Sequence, residues 1–268
     1  MKKLFAVLLC LSVLLCPVFS PAEGEDPFTY DTSWLYLTGY DGTDTELVLP
    51  SRYTNAETGK TWTLHAVGEA AFQENAALKA VTLEEGYSAV HRHAFEDCAA
   101  LERVVLPESL LVVDDYAFAR AGITEIAFGA GMSFIGELAF KECAGLSTVL
   151  FTGEAPHIEP DAFLGCAEEL LFLVPEDRTE EYRRELADAL YPDAKIRSSG
   201  KPCVPYDHTA PESCFEFDAS TGTVISYKGY LERVDVPSSI GGVAVTAIGP
   251  RAFCRWSYDD GYMYYLKL

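Results

Sequence analysis

The sequence predicts a β-rich repeat solenoid in which short parallel strands stack along one axis. The first indication is the dipeptide Ala-Phe, which recurs at intervals of 23, 23, 22 and 23 residues. The second is an apolar pattern with the period of two that is typical of a strand, which follows most of the copies. A fixed period of this length indicates stacked repeats. The copies are Ala71-Phe72, Ala94-Phe95, Ala117-Phe118, Ala139-Phe140 and Ala162-Phe163.

Each repeat carries the pattern L-x-x-V-x-L, as at Leu101, Val104 and Leu106. Residues two apart face the same side of a strand, so Val104 and Leu106 point inward together and Leu101 enters from the preceding turn. We therefore expect one strand and one bend per repeat. Such a strand buries its side chains only against the equivalent residues of neighbouring repeats.

A column of mostly small residues lies three positions after each Phe. We expect the residues of this column to be small, buried side chains that fill space in the core. In the Ala-Phe dipeptide, we expect Phe to be the large inward side chain and Ala to lie where two turns pass closely. The column is Asn75, Cys98, Ala121, Cys143 and Cys166.

The pattern resembles that of the BspA-like leucine-rich repeat family, which is close to L-x-x-V-x-L-P, then L-x-x-I, then A-F-x-x-C. Val104-Val105-Leu106-Pro107, followed by Leu110, Val113, Ala117 and Phe118, matches most of one repeat. The resemblance runs from about Phe28 to Phe253. It implies a right-handed leucine-rich-repeat-type stack in secreted or surface-attached proteins, chiefly bacterial, that act through binding.

Two long stretches of the chain also match each other. "FTYDTSWLYLTGYDGTDTELVLPS" starts at Phe28 and "FEFDASTGTVISYKGYLERVDVPS" at Phe215, and both place Tyr 12 residues and Pro 22 residues after the first Phe. We interpret both as β-hairpin units that cover the exposed end of a repeat core. The chain then divides into a solenoid over 28–197, a Pro/Ser linker over 198–214 and a second, incomplete unit over 215–268.

A short helix is predicted near 178–190, in "LVPEDRTEEYRRELADAL". Asp177 or Thr179 can cap it, and four apolar side chains then share one face, at 182, 186, 189 and 190. Such a helix after Val-Pro resembles the element that closes arrays in this family.

Residues 1–22 are predicted to be a signal peptide, with Lys2 and Lys3 before a short apolar run and the small residues Ser20 and Ala22 at a cleavage site. This predicts a secreted or cell-surface protein. A lipoprotein is the alternative, since Cys10 and Cys16 lie in or beside the apolar run. No later segment has the 18 or so uninterrupted apolar residues of a membrane span.

The charge is strongly acidic, with 41 Asp and Glu against 20 Lys and Arg and a net charge of −21. Such a chain repels phosphate backbones and anionic lipid, which argues against nucleic acid and membrane surfaces as partners. No catalytic motif such as G-x-S-x-G occurs in the sequence, so we predict no enzyme activity, no cofactor and no metal.

Some cysteines and histidines leave alternatives open. Cys203 and Cys214 lie eleven residues apart in the linker, where a disulfide is locally feasible in an oxidising compartment. Cys143 and Cys166, one repeat apart, are a second candidate pair. His91-x-His93, with Glu96 and Asp97 nearby, has zinc-ligand spacing, although solvated polar residues are expected in that bend.

The outward side chains of the strands form the candidate binding face. A mostly apolar column should be exposed there beside a polar one, which is typical of a protein-binding surface. Alternatively, another layer of the solenoid covers the column. The candidate residues are Thr82, Val105, Ala127, Leu150 and Leu173 in the first column, and Arg103, Glu125 and Thr148 in the second.

These features predict a binding protein that recognises a protein or surface glycan through its solenoid face, with adhesion as the role that the resemblance implies. The alternative is a structural or accessory module, a fragment of a larger surface protein without its own ligand. The sequence leaves the oligomeric state undefined.

Overall fold

The computed structural model describes residues 26–206, 212, 215–227, 236–250, 252–256 and 263–265. The predicted signal peptide lies outside these residues. The chain forms a β-solenoid of about seven turns, with mostly parallel strands and one short helix.

The strands, in chain order, are β1 (Phe28–Asp31), β2 (Tyr36–Tyr40), β3 (Glu46–Leu49), β4 (Arg52–Thr54), β5 (Thr61–Thr63), β6 (Ala66–Val67), β7 (Ala80–Leu83), β8 (Ala89–Val90), β9 (Arg103–Val105), β10 (Val112–Val113), β11 (Glu125–Phe128), β12 (Phe134–Ile135), β13 (Thr148–Phe151), β14 (His157–Ile158), β15 (Leu171–Val174), β16 (Lys195–Ser198), β17 (Phe215–Asp218), β18 (Thr223–Tyr227), β19 (Ser239–Ile240), β20 (Val243–Ala244), β21 (Ala247–Ile248), β22 (Cys254–Trp256) and β23 (Met263–Tyr265). The α-helix α1 (Thr179–Asp188) lies within the range 178–190 and follows a 3-10 turn at Glu176–Arg178.

Each full repeat contributes two strands, where the sequence predicted one. The strand of the L-x-x-V-x-L pattern joins a long ladder, which runs β3-β7-β9 and then β11-β13-β15-β16. The additional strand has two residues and lies before the Ala-Phe turn. These short strands join β1 and β2 in one sheet, β1-β2-β6-β8-β10-β12-β14. Two-residue strands are too short for a period of two to be visible in the sequence, which is why they were missed.

The five Phe residues of the Ala-Phe turns form a continuous stack inside the solenoid. Successive ring centroids are 5.0, 5.1, 5.4 and 5.2 Å apart, and neighbouring ring planes lie within 8° of parallel. All five side chains are buried. The repeat period thus sets one aromatic contact per turn, which favours a regular stack.

The thiols of the filler column make a repeated hydrogen bond. Cys98 donates to the carbonyl oxygen of Phe72 at 3.1 Å, and Cys143 donates to that of Phe118 at 3.0 Å. Cys166 makes the equivalent bond to Phe140 at 3.2 Å. Burial raises the pKa of each of these thiols to about 12. They act as neutral donors, a role beyond the filler that the sequence predicted.

The C-terminal end of the solenoid is covered by β16 and α1. Strand β16 extends the long ladder beyond β15, and Tyr182 of the helix packs its ring on Phe151 at 5.0 Å. Glu185 accepts a hydrogen bond from the backbone N–H of Ile158 at 2.9 Å, at the edge of the short ladder. The helix therefore covers a ladder edge that would otherwise face water.

The unit that starts at Phe215 repeats the geometry of the first hairpin. Phe215 and Tyr227 have ring centroids 5.1 Å apart, and Phe28 and Tyr40 have theirs 5.0 Å apart. Both hairpins are antiparallel and irregular at the second residue pair, and each then adds a parallel strand, β6 or β21. The division into domains is a prediction that this likeness supports.

The second unit shares an apolar cluster with the short ladder of the solenoid. Ala66, Ala89 and Val112 alternate with inward residues and so point outward, yet all three are buried. They belong to one cluster with aromatic and apolar residues of the second unit, Phe215, Val224, Tyr227, Ala252 and Phe253. One side of the solenoid is thus occupied by its own chain.

Candidate binding face

The outward residues of the long ladder form two columns in register. Parallel pairing aligns Val48 with Thr82 and Val105 and, in the second half, Ala127 with Leu150 and Leu173. The neighbouring column aligns Ala80 with Arg103, and Glu125 with Thr148. We call these residues together the outward face. Alternation along the strand produces it, because the residues between the inward Val, Ile, Leu and Phe must point away from the core.

The apolar column of the outward face reaches the surface. Val48 is 49% exposed and Val105 is 46% exposed. Ala127 is also exposed, while Thr82, Leu150 and Leu173 are half-buried between their neighbours. The alternative interpretation, in which another layer covers the column, is therefore wrong for Val105 and Ala127. An apolar strip open to solvent is a typical contact surface.

Polar groups border this strip. Arg103 forms an ion pair with Glu46 across the intervening strand, with 3.0 Å between Nη2 and Oε2. At the C-terminal end Leu171 aligns with Lys195, and Leu173 with Arg197. Lys195 is paired with Glu169. The apolar strip thus has charged residues at its side and at its end.

The outward face is divided in the middle. Strands β9 and β11 are not paired, and the long ladder is therefore two sheets, of three and four strands. The division falls at the 22-residue repeat, where Ala121 and Ile123 are two residues apart while Cys98 and Leu101 are three apart. The missing residue lies in the turn directly before β11.

A charged cluster at the Ala-Phe turns was not predicted. Arg120 donates to Asp97 through Nε and Nη2, at 2.6 and 2.7 Å, and through Nη2 to Glu96 at 2.6 Å. Glu96 also accepts from Gln73 Nε2 at 2.7 Å and lies 2.7 Å from His93 Nδ1. The Arg120 hydrogen bonds hold the pKa of the Asp97 carboxyl below its usual range. The sequence signal that could have revealed this cluster is the presence of charged or amide residues that lie one repeat apart.

The charged cluster includes residues that the sequence analysis considered as zinc ligands. Glu96 and Asp97 pair with Arg120, and His93 contacts Glu96, whereas His91 lies 3.6 Å from Asp114 of the next repeat. The two imidazoles therefore have different acidic neighbours. Within the residues that the structure describes, no three His, Cys, Asp or Glu side chains are placed to hold a metal ion.

The four cysteines whose side chains the structure describes are free thiols: Cys98, Cys143, Cys166 and Cys203. The Cys143 and Cys166 thiols both donate to backbone carbonyls. Cys214 lies outside the described residues, so its bridge to Cys203 stays a prediction. The backbone N–H of Cys203 donates to the Asp177 carboxylate at 2.7 Å, which holds the linker against the closing turn.

The fold and the exposed ladder define a leucine-rich repeat solenoid. In the described part of the chain no helix has the length and apolar character to cross a membrane. Residues 56–169 match the model of the BspA type leucine rich repeat region in six copies. The repeat region of this chain is thus of the BspA type, and the resemblance found in the sequence is confirmed.

Solved structures of leucine-rich repeat proteins resemble the chain. A leucine-rich repeat protein from Bacteroides capillosus is 26% identical, with a TM-score of 0.41, over 47% of this chain and 93% of the other. The pneumococcal vaccine antigen PcpA is 16% identical, with a TM-score of 0.44, over 69% of this chain and 49% of the other. A leucine rich cell surface protein from Faecalibacterium prausnitzii is 16% identical, with a TM-score of 0.40, over 87% and 74%. None of the curated proteins matches the sequence.

Proposed function

We propose that the chain is an exported binding protein that recognises a protein or surface glycan through the outward face, as in adhesion to a surface. The observation that carries this is the exposed apolar column, of which Val48 and Val105 remain about half exposed. Leaving apolar side chains in water on a folded ladder is unfavourable, and contact with a partner would relieve it.

Two further features support the proposal. The polar border next to the strip would surround an apolar centre, the arrangement found in protein interfaces. The leader-like sequence of residues 1–22 supports export to a secreted or cell-surface location. The role is binding without catalysis, for which repeat solenoids supply extended surfaces.

The test is a screen of the purified chain, without residues 1–22, against a panel of matrix proteins and a glycan array. A ligand found there is then measured against the double variant Leu150→Glu and Leu173→Glu. Two carboxylates in the apolar strip should weaken binding at least tenfold, since about 1.4 kcal/mol corresponds to that factor.

The matched control is Val204→Glu with Ile225→Glu. These side chains are 50% and 47% exposed and lie outside the outward face. The control should bind like the unchanged chain. Equal binding by the folded Leu150 and Leu173 double variant, checked by circular dichroism, would remove the outward face as the site.

A further inference from the structure

The apolar strip of the outward face gives way to cations at its C-terminal end. Strand β16 pairs in parallel with β15, in a register that places Lys195 beside Leu171 and Arg197 beside Leu173. Because Phe172, between the two leucines, is buried, Lys195 and Arg197 point outward on the same side as the strip. The last strand of the ladder thus carries cations where the strands before it carry leucines.

A third cation joins this pair from helix α1. Arg183, Lys195 and Arg197 line an open cavity of about 390 Å³, and we call it the basic groove. Leu171 and the carboxylate of Glu169 also line it. Three cations beside one carboxylate is the reverse of the whole chain, in which 41 acidic residues stand against 20 basic ones. The basic groove is therefore a local positive site on an acidic protein.

The cations of the basic groove are exposed and only partly neutralised. Lys195 is paired with Glu169, and Arg183 Nε lies 3.6 Å from Glu180 Oε1. Exposed ion pairs of this kind contribute little, so an anion from a partner can compete for either cation. Arg197 is exposed, and it pairs with no acidic side chain of the described residues. Its guanidinium is open to a carboxylate, which it can bind through two parallel N–H donors.

The chain that follows β16 leads away from the basic groove. The N–H of Ser199 donates to the Val174 carbonyl at 2.8 Å, and the N–H of Val204 donates to the Thr152 carbonyl at 2.8 Å. The linker therefore runs back along the C-terminal ends of β15 and β13. The second unit then packs on the outward residues of the short ladder. The basic groove lies instead beside the beginnings of β15 and β16.

We propose that the outward face binds an acidic segment of a partner protein, a step that rests on the proposed function and adds the chemistry of the partner. Apolar side chains of the segment lie on the strip, and its carboxylates bind Arg197, Arg183 and Lys195. Neighbouring strands are about 4.8 Å apart, so a partner with apolar side chains on Leu150 and Leu173 brings its next group over Arg197. The apolar residues and the carboxylates of the segment are therefore adjacent.

The side chains of the strip favour a protein over an acidic glycan. The outward face, as defined above, consists of aliphatic, threonine and charged residues, whereas the apolar side of a sugar ring packs best on an aromatic ring. A sulfated glycan would bind the cations and leave Leu150 and Leu173 in water. A segment with both apolar and acidic residues covers the leucines and pairs with the cations.

The net charge of −21 does not prevent this binding. Charges are screened over about 8 Å at physiological ionic strength, so a carboxylate in the basic groove interacts mainly with the cations around it. The same screening predicts that binding weakens as salt is added.

The probe is a displayed library of random peptides, selected on the purified chain without residues 1–22. We expect enrichment of peptides in which Asp or Glu lies next to apolar residues. A selected peptide, labelled and followed by anisotropy, should bind the variant Arg197→Glu at least tenfold more weakly, since an attractive charge pair becomes a repulsive one.

A charge exchange and a matched control accompany this measurement. The same peptide with its carboxylates replaced by Lys should bind Arg197→Glu at least tenfold better than it binds the unchanged chain. The control is Arg184→Glu, which makes the same charge change at the exposed neighbour of Arg183, outside the basic groove. It should bind the selected peptide like the unchanged chain.

The outcomes separate this proposal from the proposed function. Peptides that need Leu150 and Leu173 but bind Arg197→Glu equally well would overturn the acidic partner and leave the outward face as the site. Selection without acidic peptides would also overturn it. Heparin binding that is lost in Arg197→Glu, with no peptide selected, would identify a sulfated glycan instead. Protection of Arg197 from phenylglyoxal in the chain alone would show that its own residues fill the groove, and would overturn the proposal.

Discussion

Each of the five Ala-Phe turns from Ala71-Phe72 to Ala162-Phe163 has two residues with a left-handed backbone, and these residues direct hydrogen bonds along the stack. One is the residue before Ala-Phe and the other is the second residue after Phe. Most donate their N–H to the next repeat, as Glu142 does to the Leu164 carbonyl and Arg120 to the Lys141 carbonyl at 2.7 Å. The positions are Ala70, His93, Tyr116, Leu138 and Asp161, and Glu74, Asp97, Arg120, Glu142 and Gly165.

Only one of these ten positions is glycine, which gives a direct test of backbone strain. A side chain at positive φ costs about 1–2 kcal/mol. Gly165 has φ of +75°, and a Cβ there would approach Glu142 Cγ at 3.2 Å. We expect Gly165→Ala to lower the free energy of unfolding by about 1–2 kcal/mol in urea titrations.

The reverse change at the equivalent exposed residue should stabilise the fold. Glu142 has φ of 56°, and Glu142→Gly should raise the free energy of unfolding by about 0.5–1 kcal/mol. Glycine removes the backbone strain, but the higher conformational entropy of glycine in the unfolded chain offsets part of this stabilisation. Glu142→Ala keeps the strain and serves as the control. If both variants have the same stability, strain at this position is not the cause.

Helix α1 is the element that ends the stack, and it does so through one buried tyrosine. Tyr182 is fully buried on Phe151, and its hydroxyl donates to the carbonyls of Gly153 and Glu154, at 3.2 and 2.9 Å. Burial also raises the pKa of this hydroxyl, which keeps it a neutral donor. The side chain therefore provides both the aromatic contact and the last hydrogen bonds of the core.

Two substitutions separate these contributions. Tyr182→Phe should cost about 1 kcal/mol, and Tyr182→Ala about 3–5 kcal/mol through the cavity that it leaves. Because repeats contact only their neighbours, hydrogen exchange should increase first in β14, β15 and β16. Uniform acceleration across the whole solenoid would contradict an end-covering role for α1.

The elements differ in how far the sequence could predict them. The long strands, the Phe stack and the amphipathic face of α1 follow from spacings of two, 23 and three to four residues. The short strands do not, because a pair such as Val112-Val113 has no readable alternation. The left-handed residues have no common side chain, as Leu138 and Glu142 show, so composition could not reveal them.

The sequence likewise predicts only part of the candidate site. Which residues point outward follows from strand alternation, and this is why Val105 and Ala127 were found. Exposure of the half-buried Leu150 depends on neighbouring strands. The burial of Ala89 depends on contacts between distant parts of the chain, which one repeat pattern does not encode.

At the scale of the whole molecule, the second unit covers the outward residues Ala66, Ala89 and Val112 of the short ladder, and a substitution of Ala89 tests this. Ala89 is fully buried although it points away from the core. We expect Ala89→Arg to displace the second unit, because a long charged side chain does not fit in an apolar contact. Proteolysis and hydrogen exchange should then increase in the linker and in residues 215–227, while the solenoid stays protected.

The control is Ala127→Arg, which places the same side chain on an exposed outward position of the long ladder. It should leave both regions protected. Equal protection in Ala89→Arg would show that the second unit does not depend on this contact, whereas unfolding of the solenoid would show that Ala89 is part of its own core.

The one-residue deletion before Ile123 interrupts the pairing of only one of the two ladders. The short ladder continues unbroken from β8 through β10 to β12, while the long ladder separates between β9 and β11. The short ladder thus keeps its pairing across the deletion, whereas the long ladder does not. Repeats can therefore lose a residue before the long strand without interrupting the short ladder.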